Sequence, residues 1–151
     1  VIVVTQPSFI YYNGERYLKT VAEDDIQHLY PIGTLQQSGV VTAGSSDSPI
    51  VEPNPITGIY SAVSRMEKTG KIVSAKESID ALSALKMFTC NAAKAFFDED
   101  IKGSIAPGKL ADLVLLSGDP TILSFEEIKD IKVLMTVIDG KIVWKKSPYL
   151  F

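Results

Sequence analysis

The chain reads as an α/β protein that gives way, near residue 98, to a small β unit, and three stretches carry that reading. The first is Val40 to Pro49, VVTAGSSDSP, a short apolar strand running into Gly44, two serines and a carboxylate. The second is Gly103 to Leu116, GSIAPGKLADLVLL. There Gly103 and Gly108 permit turn conformations closed to most residues, Pro107 fixes φ, and the turn delivers the apolar strand Leu113 to Leu116, whose unbroken hydrophobicity predicts cover on both faces. The third is Asp139-Gly140, a two-residue hairpin signal between the strand candidates Val133 to Ile138 and Lys141 to Trp144.

Taken in order, Val1 to Thr5 is an apolar, β-branched run that predicts a strand. Phe9 to Leu18 is aromatic and polar and reads as an inserted loop. Its Tyr11, Tyr12 and Tyr17 either contact substrate at a barrel mouth or anchor the loop on the core. Glu23 to Gln37 reads as helical, broken near Pro31, with Asp24 or Asp25 as its cap. Pro55 to Glu67 carries Ile56, Ile59, Tyr60 and Val63 at helical spacing, opens with Pro55 and ends near Gly70. Arg65 on that helix either binds a substrate carboxylate or pairs with a structural acid.

Ser74 precedes Glu77 by three residues, a capping-box spacing that predicts the start of the longest helix, with Ile79, Leu82, Leu85 and Met87 or Phe88 turned inward. Thr89 and Asn91 interrupt it before a second short helix, Ala92 to Phe97. Cys90, the single cysteine, is expected as a small core residue. Ser124 to Asp130 predicts a short helix between strands.

Composition narrows the function classes. The 151 residues are 46% hydrophobic and 22% charged, enough for one sizeable core. A net charge of -3 with acidic clusters at Glu23 to Asp25 and Asp98 to Asp100 argues against a nucleic-acid surface. No run approaches the roughly 18 apolar residues of a membrane span. One cysteine permits no internal disulfide and fits the cytoplasm, the expected compartment. Neither a phosphate-binding glycine loop nor a Gly-x-Ser-x-Gly elbow is present.

Asp47 is the candidate for chemistry, because catalytic groups of parallel β/α barrels sit just beyond the carboxyl ends of strands. The same residue also reads as a cap on the turn begun by Ser48-Pro49.

Several patterns in this order resemble the metal-dependent amidohydrolase superfamily, in particular the amidohydrolase family 3 branch that includes N-substituted formamide deformylase. They are the strand ending in Gln6-Pro7, the Gly44-Ser45-Ser46-Asp47-Ser48-Pro49 segment with one serine more than the family's Gly-Ser-Asp-x-Pro, the Pro55 to Arg65 pattern, Thr89 to Ala93 and the Gly103 turn. The resemblance implies that residues 1–97 are the C-terminal strands and helices of a TIM-type (β/α)8 barrel and residues 98–151 part of a small composite β-sandwich domain. It implies hydrolysis of carbon–nitrogen bonds other than peptide bonds in a small-molecule substrate. Asp47 would serve as metal ligand and proton carrier, with Arg65, Tyr11 and Tyr12 as substrate contacts.

The family's metal centre draws on several histidines, whereas this chain has one, His28, at no matching position. A catalytic zinc takes about three protein ligands, so the divalent metal, zinc by expectation, is not expected to be held by this chain alone. Val1-Ile-Val-Val reads as a core strand without a preceding element, and the expectation is a C-terminal portion of a longer enzyme, itself inactive. The rival expectation is a non-catalytic structural or interaction module derived from an amidohydrolase. Either way, uncovered barrel and sheet edges predict a surface for self-association. Neither nucleic acid nor membrane is an expected partner.

Overall fold

The structure, a computed structural model, describes residues 1–146; the last residues of the predicted 98–151 unit, 147–151, lie outside the described residues. Two short strands, β1 (Ile2–Thr5) and β2 (Val41–Gly44), run parallel with Thr5 opposite Gly44, so both end at the same level. Parallel neighbours need a long crossover. Here it is made of α1 (Ser8–Thr20), α2 (Glu23–Ile26) and α3 (Ile32–Gln37).

The predicted aromatic loop is thus the helix α1, and the expectation is corrected. Its small and polar residues obscured the pattern, yet Ile10 and Gly14 lie on a buried face. Gly14 is there for space: a Cβ would stand 2.5 Å from Glu67 Cβ. The helical break at Pro31 is as expected, but neither Asp24 nor Asp25 caps α2, whose N-cap is Ala22.

After β2 come α4 (Pro55–Ser64), α5 (Ala81–Met87) and α6 (Cys90–Ala95). Helix α4 buries Ile56, Ile59 and Tyr60 as its periodicity predicts, and Asn54 Oδ1 accepts from the Ile56 amide as N-cap. It stops at Arg65 (φ 55°), well before Gly70, which instead shapes the turn closed by the Met66–Ile72 bridge. Ser74 and Glu77 form no capping box. Ser74 has φ 55° and only a single 3₁₀ turn follows, while α5 starts later, where Asp80 Oδ1 accepts from the Ser83 amide. Met87 is fully buried but Leu82 is 50% exposed, and Cys90 is half-buried instead of a core residue.

The core joins Ile32, α4, Ile79, Ala84 and Met87 to Ile128 and Ile131 from the second part of the chain. Around it, among the described residues, lie the buried charged residues Arg65, Glu67 and Glu77. Arg65 donates from Nε to Val73 O (3.1 Å), from Nη1 to Tyr30 O (3.2 Å) and from Nη2 to Leu29 O (2.7 Å). Burial lowers its pKa to about 10, opposed by the nearby Glu77 charge. Glu77 accepts from Thr34 N and Oγ1, tying the 3₁₀ turn to α3. Glu67 accepts from Thr69 and Lys71 and organises the turn after α4. Each buried charge is fully engaged, the condition under which burial is tolerated.

The remaining elements are β3 (Leu113–Leu116), α7 (Phe125–Ile128), β4 (Val133–Ile138) and β5 (Lys141–Lys145), the strands forming an antiparallel sheet in the order β3-β4-β5. Gly103 and Gly108, both at φ 88°, make the predicted turns. Asp139 and Gly140, at φ 49° and 74°, make the β4–β5 hairpin. A complete capping box does occur, at Ser124 and Glu127. Among the described residues nothing covers β3 on both faces as predicted, and Leu113, Val114 and Leu115 are 39, 54 and 39% exposed. Ile142, Val143 and Trp144 of β5 are exposed as well.

Candidate functional site

The shared level of the β1 and β2 ends, with Ser45 N–H donating to Thr5 O at 2.8 Å, launches two segments side by side. One is Gln6-Pro7 into α1; the other is the loop from Ser45 to Asn54 into α4. In that loop the Asp47 amide donates to Ser45 Oγ (3.3 Å) and the Ser48 amide to Ser46 Oγ (3.2 Å). These successive side-chain turns brace the loop locally. Ser46, the serine additional to the family pattern, therefore has a defined role in holding it.

Asp47 sits at φ 56°, a left-handed conformation tolerated best by Gly, Asn and Asp. Its carbonyl accepts from the Ile50 amide at 2.8 Å. The carboxylate is exposed and hydrogen-bonds to none of the described residues. It caps no helix, for α4 is capped by Asn54.

Beside this loop lies a cavity of about 530 Å³. Ser8, Ser45, Ser46 and Asn54 contribute polar groups to its wall, while Val4, Ala43, Phe88 and Phe96 supply an apolar surface. Phe88 enters because Gly44 and Gly58 are bare: a Cβ on Gly44 would stand 2.5 Å from its ring, and one on Gly58 closer still. A second cavity, about 520 Å³, is lined by Tyr12, Asn13 and residues 48–53. There Tyr12 Oη donates to Glu52 Oε2 at 3.4 Å, and Lys68 Nζ stands 4.6 Å from the Tyr12 ring centre.

The residues singled out from the sequence do not converge on one site. Tyr12 is on the second cavity's wall, whereas Tyr11 packs edge-on against Tyr60 (centroids 5.9 Å apart) and Tyr12. Tyr17 hydrogen-bonds Tyr30 at 3.0 Å. Arg65 is at 0% exposure with its guanidinium held by three carbonyls, lines neither cavity, and in this arrangement braces the surrounding backbone. Sequence reasoning missed Ser8, Asn54 and Phe88. Asn54 was marked by its place before Pro55, an N-cap followed by a proline at the first helical position. Arg65 also left a trace, because α4 before it contains no charged residue.

Among the described residues, no group of three or more His, Cys, Asp or Glu side chains could hold a metal ion. A catalytic zinc takes about three protein ligands, more than the described residues bring together in one place. No helix among the described residues is long and apolar enough to cross a membrane.

The chain is 32% identical over 145 residues to YtcJ of Bacillus subtilis, covering 94% of this chain and 27% of that protein. It is 31% identical over 119 residues to N-substituted formamide deformylase of Arthrobacter pascens, covering 79% of this chain and 22% of the enzyme. The fold superposes on a metal-dependent hydrolase of Pyrococcus horikoshii with a TM-score of 0.69 and 26% identity, over 83% of this chain and 26% of the other. The chain therefore spans about a quarter of the length of these relatives. A model of the amidohydrolase family matches residues 4–144, nearly the whole sequence, and the chain belongs to that family.

Proposed function

We propose that this chain supplies the last strands of a (β/α)8 barrel, in residues 1–97, and part of a composite β-sandwich, from residue 98 onward. The whole would be a metal-dependent amidohydrolase cleaving carbon–nitrogen bonds other than peptide bonds. The observation that carries the proposal is Asp47: an exposed carboxylate on a braced loop just beyond the carboxyl end of a parallel strand. The match to the deformylase supports the bond type.

In this reading the divalent metal, zinc by expectation, is held chiefly by residues outside this chain. The part played by Asp47 is that of a proton carrier. One carboxylate oxygen accepts the proton of the attacking water and delivers it to the departing nitrogen, a task suited to a side chain that exchanges protons readily and is held in place. The left-handed backbone and the two serine-braced turns fix where the carboxylate starts from. Tyr12 is the residue of this chain best placed to meet substrate from the neighbouring cavity.

The test joins this chain to the in-frame coding sequence upstream of Val1 and assays N-substituted formamides. Hydrolysis is expected, and Asp47→Asn should lower kcat by about 10²–10⁴-fold, as for loss of a general base. Unchanged kcat in Asp47→Asn would remove Asp47 from the chemistry. A reading frame that opens at Val1, with no turnover by the product, would favour a non-catalytic structural or interaction module.

A further inference from the structure

Helix α1 carries Tyr11 and Tyr12 in succession, and their rings meet edge to face, with centroids 5.2 Å apart and planes at 84°. The ammonium of Lys68, on the turn after α4, stands 4.6 Å from the centre of the Tyr12 ring and 5.7 Å from that of Tyr11. Lys68 is in no ion pair among the described residues. One cation is thus placed against two rings with no carboxylate holding it there, as expected of the attraction between a positive charge and the ring quadrupole.

Tyr12 also lines the cavity of about 520 Å³, whereas Lys68 does not. The charged side chain on that wall is Glu52. Its Oε2 accepts from the Tyr12 hydroxyl at 3.4 Å, and no other hydrogen bond or ion pair reaches the carboxylate among the described residues. Burial, and after it the Glu52 charge, push the Tyr12 phenol up, so its hydroxyl stays a donor. A carboxylate accepts about four hydrogen bonds, so most of the accepting capacity of Glu52 is open. Pro49 and Ile50 give the wall an apolar stretch, Ile50 being 66% exposed. An aromatic ring and a carboxylate on a wall that carries no cation suit a positively charged guest, and Asp47, next to Ser48 of the wall, adds a second exposed carboxylate nearby in the chain.

We propose that this cavity binds a small organic ammonium ion with an apolar body. The ammonium donates to the Glu52 carboxylate beside the Tyr12 ring, and the body lies against Pro49 and Ile50. The contact to Glu52 is a charge-assisted hydrogen bond, and the ring adds a cation–π attraction. Apolar surface with a few polar groups is the usual make-up of a small-molecule site. The site stands on this chain's own residues, whichever reading of the whole protein holds.

The experiment titrates the ¹⁵N-labelled chain with phenethylamine, protonated at neutral pH, to about 10 mM, the range in which weak sites saturate. Saturable shifts are expected at the amides of Asn13, Ser48, Ile50 and Glu52. Glu52→Gln keeps the shape of the side chain and removes its charge; it should weaken binding about tenfold, in line with loss of a hydrogen bond to a charged group. An unchanged Tm in this exposed variant would show that the fold is intact. Tyr12→Leu should weaken binding about threefold, and Tyr12→Phe, which keeps the ring, should restore most of that loss.

Three results would each overturn the proposal. They are the absence of saturable shifts around the cavity, an unaltered affinity in Glu52→Gln, and binding of the neutral phenethyl alcohol as tight as that of the amine. Tighter binding of the anionic phenylpropanoate would also overturn it, because Lys68 and not Glu52 would then be the charge that the ligand meets.

Discussion

Residues 1–97 and 98–146 are held together differently. In the first segment, a buried core is framed by Arg65, which donates to carbonyls of Leu29, Tyr30 and Val73, by Glu77, which accepts from Thr34, and by Glu67, which accepts from the turn at Thr69 and Lys71. In the second, β3 and β5 present apolar side chains to solvent, and the main anchorage to the core is through Ile128 and Ile131 beside α7. Burial of apolar area is the chief favourable term in folding. The first segment therefore contains most of the buried interactions that hold the fold, while the sheet leaves apolar area exposed.

The sharpest way to break this contrast is Arg65→Ala. It removes the donors to three carbonyls from Leu29, Tyr30 and Val73, and leaves Glu77 without its nearby countercharge. A loss of about 3–5 kcal/mol is expected, measurable by urea unfolding. Loss below about 1 kcal/mol, the worth of an exposed ion pair, would mean that the segment does not depend on this residue. Gly58→Ala should follow, at about 1–3 kcal/mol, because its Cβ meets the Phe88 ring.

Acid provides a graded version of the same test. Burial pushes the Glu67 carboxyl up, but hydrogen bonds from Thr69 and Lys71 outweigh it and hold the pKa below its ordinary 4.5. Ser83 holds Asp80 below 3.8 in the same way. Both folded-state values are depressed, so the unfolded chain binds protons first. The stability these groups contribute is present above about pH 4.5 and is lost as pH falls through the folded values. Glu67→Gln should flatten the acid limb of a stability–pH curve; an unchanged limb would exclude Glu67 from it.

The smallest effect on stability is expected on the sheet. Ile142→Lys, at a position 60% exposed, should change unfolding free energy by no more than about 0.5 kcal/mol. It should nevertheless reduce concentration-dependent association, read by sedimentation, if the sheet face mediates it. A large loss of stability would show that the face is already used within the chain.

The elements that were legible in the sequence owe their form to local causes. The apolar runs of β2, β3 and β4, the Asp139-Gly140 hairpin and the Gly103 and Gly108 turns all follow from backbone preference. The misread elements owe theirs to distant partners. Tyr-rich α1 is helical because it packs on α4, and its Gly14 makes room for Glu67. Glu77 leaves a capping-box spacing unused because Thr34, far along the chain, takes its carboxylate. Asp47 was legible as a residue on a loop at a strand end, while the Ser8 cavity was not, since it exists only once α1, β2, α4 and α6 come together.

Phe88 has a consequence for how this sequence can vary. Its ring occupies the volume that a side chain at Gly44 or Gly58 would fill, so the three positions hold one shared quantity of space. A substitution at either glycine is expected to be better tolerated in company with a smaller residue at 88, for example Gly58→Ala with Phe88→Leu. Across sequences of this kind the three sites should therefore drift as a correlated set, even though they belong to a strand end, a helix and a second helix's terminus.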